Sequence, residues 1–149
     1  MSLKDKLMDD LKASMKEKQT LRKNTITMLR ARIKQYEVDT REDADDKKIM
    51  ELIHKELKQR RDALVAFEDS DRAELIQNTK EEISILESYL PVQLSDEKLE
   101  ELIRICIKEM GAMSMKDMSK VISLAKQKAG STAEPKRISE VVKDKLSSQ

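Results

Sequence analysis

Apolar residues recur at intervals of three and four along almost the whole chain, the spacing that places them on one face of an α-helix. Leu3, Leu7, Leu11 and Met15 make a first stripe, and Ile26, Leu29, Ile33 and Tyr36 a second. Ile49, Ile53, Leu57, Leu64 and Phe67 define a long third helix; Leu75 or Ile76 with Thr79, Ile83, Leu86 and Leu90 defines a fourth. Later stripes run through Leu99, Ile103, Cys106 and Met110, through Met115, Met118, Ile122 and Ala125, and through Ile138, Val141, Val142 and Leu146. No alternating pattern competes, so the chain reads as all-α.

The chain's two glycines and two prolines act as punctuation. Gly111 and Gly130 follow helical runs and are predicted as left-handed caps. Pro91 closes the run ending in Ser88-Tyr89-Leu90, and Pro135 suits a first helical turn. Ser95-Asp96-Glu97 puts acids at a helix start, and Ser114 with Asp117 fits a capping box. The break at Pro91 separates four helices from three. The expected architecture is an N-terminal four-helix bundle over 1–90, a linker at 91–95 and a C-terminal three-helix bundle over 96–149. Val92 and Leu94 are apolar, so the linker is expected to pack against a bundle.

Composition narrows the class. The chain has 149 residues, 38% hydrophobic and 40% charged, and its aromatics are Tyr36, Phe67 and Tyr89. That apolar content covers one face of several helices but not both faces of a large α/β sheet. Its periodicity separates the chain from disordered sequences of similar charge.

Net charge is +1, yet its distribution is uneven. Residues 12–34 hold eight basic side chains against Glu17 alone, and the tail after Gly111 holds eight against four acids. Such patches can take phosphates even when the total charge is near zero, and they can equally be solvated helix faces. Cys106 is the single cysteine and lies in an apolar run, which predicts a buried, inert thiol. Residues 1–6 read as neither a signal peptide nor a transit peptide, and no stretch matches a membrane span; the expected compartment is the cytoplasm.

Catalytic signatures are absent from this reading. The single histidine, His54, is expected on a helix surface. Two isolated glycines cannot build a phosphate loop. Glu51 and His54 have the spacing of half a helical di-metal site, but the pair has no second copy. No catalytic residue, metal site or cofactor is predicted.

Arg60 interrupts the apolar stripe of the third helix. A guanidinium there needs a carboxylate, for which Glu82 and Glu87 are candidates, or an external anion. Lys55, Lys58 and Arg61 make the same segment polycationic. Most methionines sit at helical spacing and are expected to fill the core; the cluster Met110, Met113, Met115 and Met118 is a candidate adaptable surface.

Specific words then appear. Lys58-Gln59-Arg60-Arg61-Asp62-Ala63, Phe67, Arg72-Ala73-Glu74-Leu75 and the run from Lys80 to Ser95, with its core Tyr89-Leu90-Pro91-Val92-Gln93-Leu94, resemble the YqeY-like family. Met110-Gly111-Ala112 and Lys116-Asp117-Met118-Ser119-Lys120-Val121 continue the resemblance, with Ser119 where the family pattern has glycine.

The family is similar in turn to the tail of the B subunit of the tRNA-dependent amidotransferase, which amidates glutamate or aspartate already charged on tRNA. The resemblance implies a four-helix bundle followed by a three-helix bundle. It also implies a non-catalytic, tRNA-binding accessory protein. The candidate RNA contacts are Lys116, Lys120, Lys126, Lys128, Lys136 and Arg137, with Lys55, Lys58 and Arg61 on the third helix. Lys116 and Lys120 are expected on one helix face, and the other four C-terminal residues around the Gly130 turn. Few aromatics argue against stacking of single-stranded bases, whereas backbone recognition of a folded RNA needs only charge. The alternative is a helical protein–protein adaptor that receives a partner in its seam or at the methionine cluster. A third reading is a component of an amidotransferase-type carbon–nitrogen ligase with glutamine as amido donor.

Overall fold

The structure, a computed structural model, describes residues 2–68 and 70–148. Among these residues the chain is helical without strands. Its α-helices are α1 (Leu3–Lys16), α2 (Thr20–Thr40), α3 (Asp46–Phe67), α4 (Ala73–Glu87), α5 (Asp96–Met110), α6 (Met118–Ala129) and α7 (Pro135–Ser147). Short 3-10 turns, Met115–Asp117 and Gly130–Thr132, bracket α6.

The helix starts are chemically specified. Ser2, Asp45 and Ser95 are N-caps whose side chains accept the backbone N–H of Asp5, Lys48 and Lys98. Each such cap contributes about 1 kcal/mol. Ser114 caps the 3-10 turn by accepting from Lys116 N–H, but the Asp117 carboxylate turns outward to Met113 N–H at 3.0 Å instead of closing a reciprocal box. Gly111 adopts the left-handed conformation that ends α5. Gly130 has φ 57° and ψ −128°, so it is not the left-handed cap expected; it makes a sharper reversal that side chains disfavour.

The chain divides into two compact units, Met1–Leu90 and Pro91–Gln149. In the first, Leu7 and Leu11 of α1 meet Ile26, Leu29 and Ile33 of α2, Ile49, Ile53 and Leu57 of α3, and Leu86 and Tyr89. In the second, Leu99, Ile103, Cys106 and Ile107 of α5 pack on Val121, Ala125 and Ala129 of α6 and on Ile138, Val142 and Leu146 of α7. Ala125 and Ala129 put small side chains at successive turns of the buried face of α6. Burial pushes the Cys106 thiol above its ordinary range.

The stripes run true in their centres and fail at their ends. Met15, Leu75, Met110 and Met115 are exposed, while Ser14 and Ile107 are buried beside them. Leu64 and Phe67 are only half-buried and lie outside the core of their unit. No described methionine is part of either buried core, contrary to the expected core filling; leucine, isoleucine and valine take those places and methionine flanks them.

Residues 91–95 associate closely with the second unit. Leu94 packs on its core and donates its N–H to Thr132 O at 2.7 Å, and Gln93 Nε2 donates to Ser131 O at 2.8 Å. Val92, expected to pack, is 92% exposed.

Candidate functional site

The expected sites fall in two places, one on α3 and one along α6 and α7. On α3 the interruption of the stripe by Arg60 is resolved by a chain of alternating charges. Arg60 is 12% exposed in its side chain; its Nε donates to Glu82 Oε2 on α4 at 3.0 Å and its Nη1 to Glu56 Oε2 at 2.9 Å. Its Nη2 lies 3.2 Å from Met28 Sδ. Glu56 is itself buried and also meets Arg32 Nε of α2 at 3.1 Å. The string Arg32–Glu56–Arg60–Glu82 thus joins three helices and is neutral as a set. A buried carboxylate between two guanidinium groups is the arrangement in which its charge can be kept out of water.

Glu87, the other candidate partner of Arg60, pairs instead with Arg61 at 3.0 Å. Glu56 was missed from the sequence, although its place one turn before Arg60 and beside Leu57 is a usable signal.

Lys58 faces Asp62 at 3.9 Å, a loose exposed pair. Lys55 is exposed and makes no ion pair among the described residues. The two arginines of this polycationic stretch of α3 are therefore committed to their own unit, and its two lysines are not. His54, expected on the surface, is 6% exposed. It flanks Ile53 and precedes Leu57 by three residues, so the buried face of α3 is wider than a single stripe. Glu51, which would complete a metal-binding pair with it, bonds Lys48 at 2.7 Å.

Nearby, Tyr89 of the Tyr89-Leu90-Pro91 word is 4% exposed, and its hydroxyl donates to Asp10 Oδ2 of α1 at 2.5 Å. Burial first, then the Asp10 carboxylate, pushes its phenol well above the ordinary range. Tyr89 is thus a staple between α1 and the end of α4.

The C-terminal cations divide differently. Arg137 donates through both terminal nitrogens to Leu94 O at 3.2 Å and to Asp96 Oδ1 at 2.7 Å. It clamps residues 94–96 to α7 and is not the free contact expected from its place after Pro135. Lys128 bonds Glu109 at 3.0 Å.

Lys116, Lys120, Lys126 and Lys136 are exposed and make no ion pair among the described residues. Lys116 lies on the 3-10 turn and Lys120 in the first turn of α6, so they do not share one continuous α-helical face. Both stand near the positive end of the α6 dipole. Met110 and Lys120 border a shallow groove of about 610 Å³ with Ser119, Ser123, Leu124 and Gln127. Met113 is 82% exposed nearby in sequence, whereas Met118 packs on the core.

The arrangement presents uncompensated ammonium groups on a rigid helical scaffold. Such groups can hold phosphates by charge and hydrogen bonding without base readout.

A family model described as Yqey-like protein matches residues 4–146. Among curated proteins, the chain is 36% identical over 95 residues to the Kluyveromyces lactis protein "Altered inheritance of mitochondria protein 41, mitochondrial", covering 61% of this chain and 51% of that one. The Lachancea thermotolerans protein of the same name is 36% identical over 85 residues, 56% of this chain and 46% of the relative. The Vanderwaltozyma polyspora protein of that name is 29% identical over 119 residues, 75% of this chain and 64% of the relative. The matches thus span about half to two thirds of these relatives' length.

Proposed function

The chain belongs to the YqeY-like family, and from that premise we infer that it is a non-catalytic accessory protein that holds folded tRNA by its phosphate backbone through the C-terminal unit. In this reading the units are a four-helix and a three-helix bundle, and the second carries the contact. The observation that supports it most is the set of exposed lysines without a counter-charge, Lys116, Lys120, Lys126 and Lys136. Phosphates would replace the missing acids and release counterions, so binding should weaken steeply with salt. The likeness of the family to the amidotransferase tail makes tRNA the substrate class to test first.

The test is a titration of the purified protein with tRNA at low and moderate salt. Wild type should bind at low salt. Lys120→Glu with Lys126→Glu should weaken binding roughly tenfold or more for all tRNAs alike, because phosphate contacts carry no sequence information. Arg137 is unsuitable for this test, since its loss would release Leu94 and Asp96. No binding at low salt, or equal binding by the reversal variant, would reject the reading.

The adaptor reading draws on one observation, the exposed Met110, Met113 and Met115, of which Met110 borders the groove with Lys120. It would be favoured by a protein that co-purifies without RNA and is lost on Met113→Ser. No described helix is long and apolar enough to cross a membrane. The reading places the protein in the cytoplasm, while the relatives' names carry the word mitochondrial; cell fractionation separates the two.

A further inference from the structure

A groove of about 670 Å³ lies between α1 and α2 of the first unit, outside the surfaces described so far. Its apolar lining is the buried Leu7 and Ile33 with half-buried Met8 and exposed Ala31, and Arg30 and Lys34 lie on the polar side. Arg30 is half-buried, yet it makes no hydrogen bond or ion pair among the described residues. That sets it apart from Arg32, Arg60 and Arg61 in the same unit, all of which are paired. A guanidinium drawn partly out of water without a counter-charge favours an oxyanion, which its planar fork can bind with two parallel hydrogen bonds. Lys34 follows one turn later and adds a second donor.

The rest of the lining decides the ligand's charge. Lys4 is engaged by Glu37, whose carboxylate also accepts the N–H of Ala44, and Asp5 stands at the wall. Lys4, Arg30 and Lys34 against Asp5 and Glu37 leave a net +1. The two carboxylates oppose a polyanion such as nucleic acid, and a bare inorganic ion would leave the accessible apolar lining, Met8 and Ala31, uncovered. We propose that the α1–α2 groove binds a small amphiphilic monoanion, an oxyanion head on Arg30 and Lys34 with a short alkyl tail over Met8 and Ala31.

The test is an NMR titration of the full chain with hexanoate and hexyl sulfate, with acetate as head alone and 1-hexanol as tail alone. Amide shifts should concentrate in α1 and α2, with both amphiphiles binding at least about tenfold more tightly than acetate or hexanol. Preference for hexanoate would mark the natural head as a carboxylate, and preference for hexyl sulfate as a phosphate or sulfate ester; either supports the proposal. Arg30→Gln should weaken both amphiphiles roughly tenfold. Arg30 has no internal partner, so its thermal unfolding should match wild type; Lys34→Gln gives an independent, smaller loss. Absence of shifts, shifts confined to the C-terminal unit, equal binding by acetate or hexanol, or undiminished binding by Arg30→Gln would overturn it.

Discussion

The candidate cations of the two units, the arginines of α3 in the first and the lysines around α6 and α7 in the second, are used in opposite ways. In the first, guanidinium groups of α2 and α3 other than Arg30 are threaded between acids: Arg32 with Glu56, Arg60 with Glu56 and Glu82, Arg61 with Glu87. In the second, Arg137 and Lys128 are committed, and Lys116, Lys120, Lys126 and Lys136 are left to solvent. Both segments look basic when read along the chain. The difference lies in whether a neighbouring helix presents an acid at matching height. A run of lysines and arginines can therefore offer charge to a ligand only where the fold withholds the counter-charges, and arginine, with its planar fork, is the residue that α3 spends internally.

The largest way to break this contrast is at Arg60. Replacing it by alanine leaves Glu56 buried against Arg32 alone and removes the cation from Glu82. Chemical denaturation should show a loss of about 3 kcal/mol. A double change, Arg60→Met with Glu56→Gln, should recover much of it, because the buried charge and its partner leave together. If Arg60→Ala cost less than about 1 kcal/mol, the charge string would not be holding the helices.

Tyr89→Phe comes next. It removes a buried hydroxyl that donates to a carboxylate, and about 2 kcal/mol should be lost. The pH dependence has a definite sign. The Tyr89 phenol is raised in the folded protein, so its contribution is complete below the ordinary tyrosine range and declines as pH rises above that range. Wild type should therefore lose stability at alkaline pH more steeply than Tyr89→Phe, as read by thermal melts across that window. Parallel curves would remove Tyr89 as the cause.

Arg137→Gln is smaller. Asp96 is exposed, so the ion pair itself counts for little, and the bonds to the Leu94 carbonyl carry most of the effect. A loss of about 1 kcal/mol is expected. Hydrogen exchange should locate it, with faster exchange at the Leu94 amide, which bonds Thr132 O, and little change in the first unit. Unchanged exchange at Leu94 would refute the clamp.

How much of this was legible in the sequence follows from which contacts are local. The helices were, because Leu7, Leu29, Ile53, Leu99 and Val142 obey a spacing that local geometry dictates. Caps such as Ser95 were, because an N-cap bonds its own helix three residues on. The stripe ends were not: Met15 and Met110 continue the period past the point where a neighbouring helix covers it. His54 and Glu56 were misread or missed because burial at the flank of a stripe depends on how wide a face α2 and α4 cover. Arg137 looked free because its acceptor, the Leu94 carbonyl, is a backbone atom 43 residues away that leaves no mark in residue type. Partner choice among many acids and bases is a matter of three-dimensional register, and a chain that is 40% charged offers too many pairings for sequence to rank.

The smallest expected effect sharpens the comparison most. Lys116→Glu and Lys126→Glu touch side chains that make no ion pair among the described residues. Each should change stability by no more than about 0.5 kcal/mol, since surface substitutions away from caps and cores are close to neutral. Glutamate at 116 is even well placed beside the positive end of α6, which offsets part of any cost. The same pair of changes removes four units of charge from the second unit relative to wild type, so any phosphate affinity held there should collapse while the melting curve stays put. Reversing Arg32 and Arg60 in the first unit should do the opposite, unfolding the unit by placing like charges around Glu56. Should Lys116→Glu and Lys126→Glu destabilise as much as the Arg60 change, the second unit's lysines would be structural after all, and the contrast between the two halves would fail.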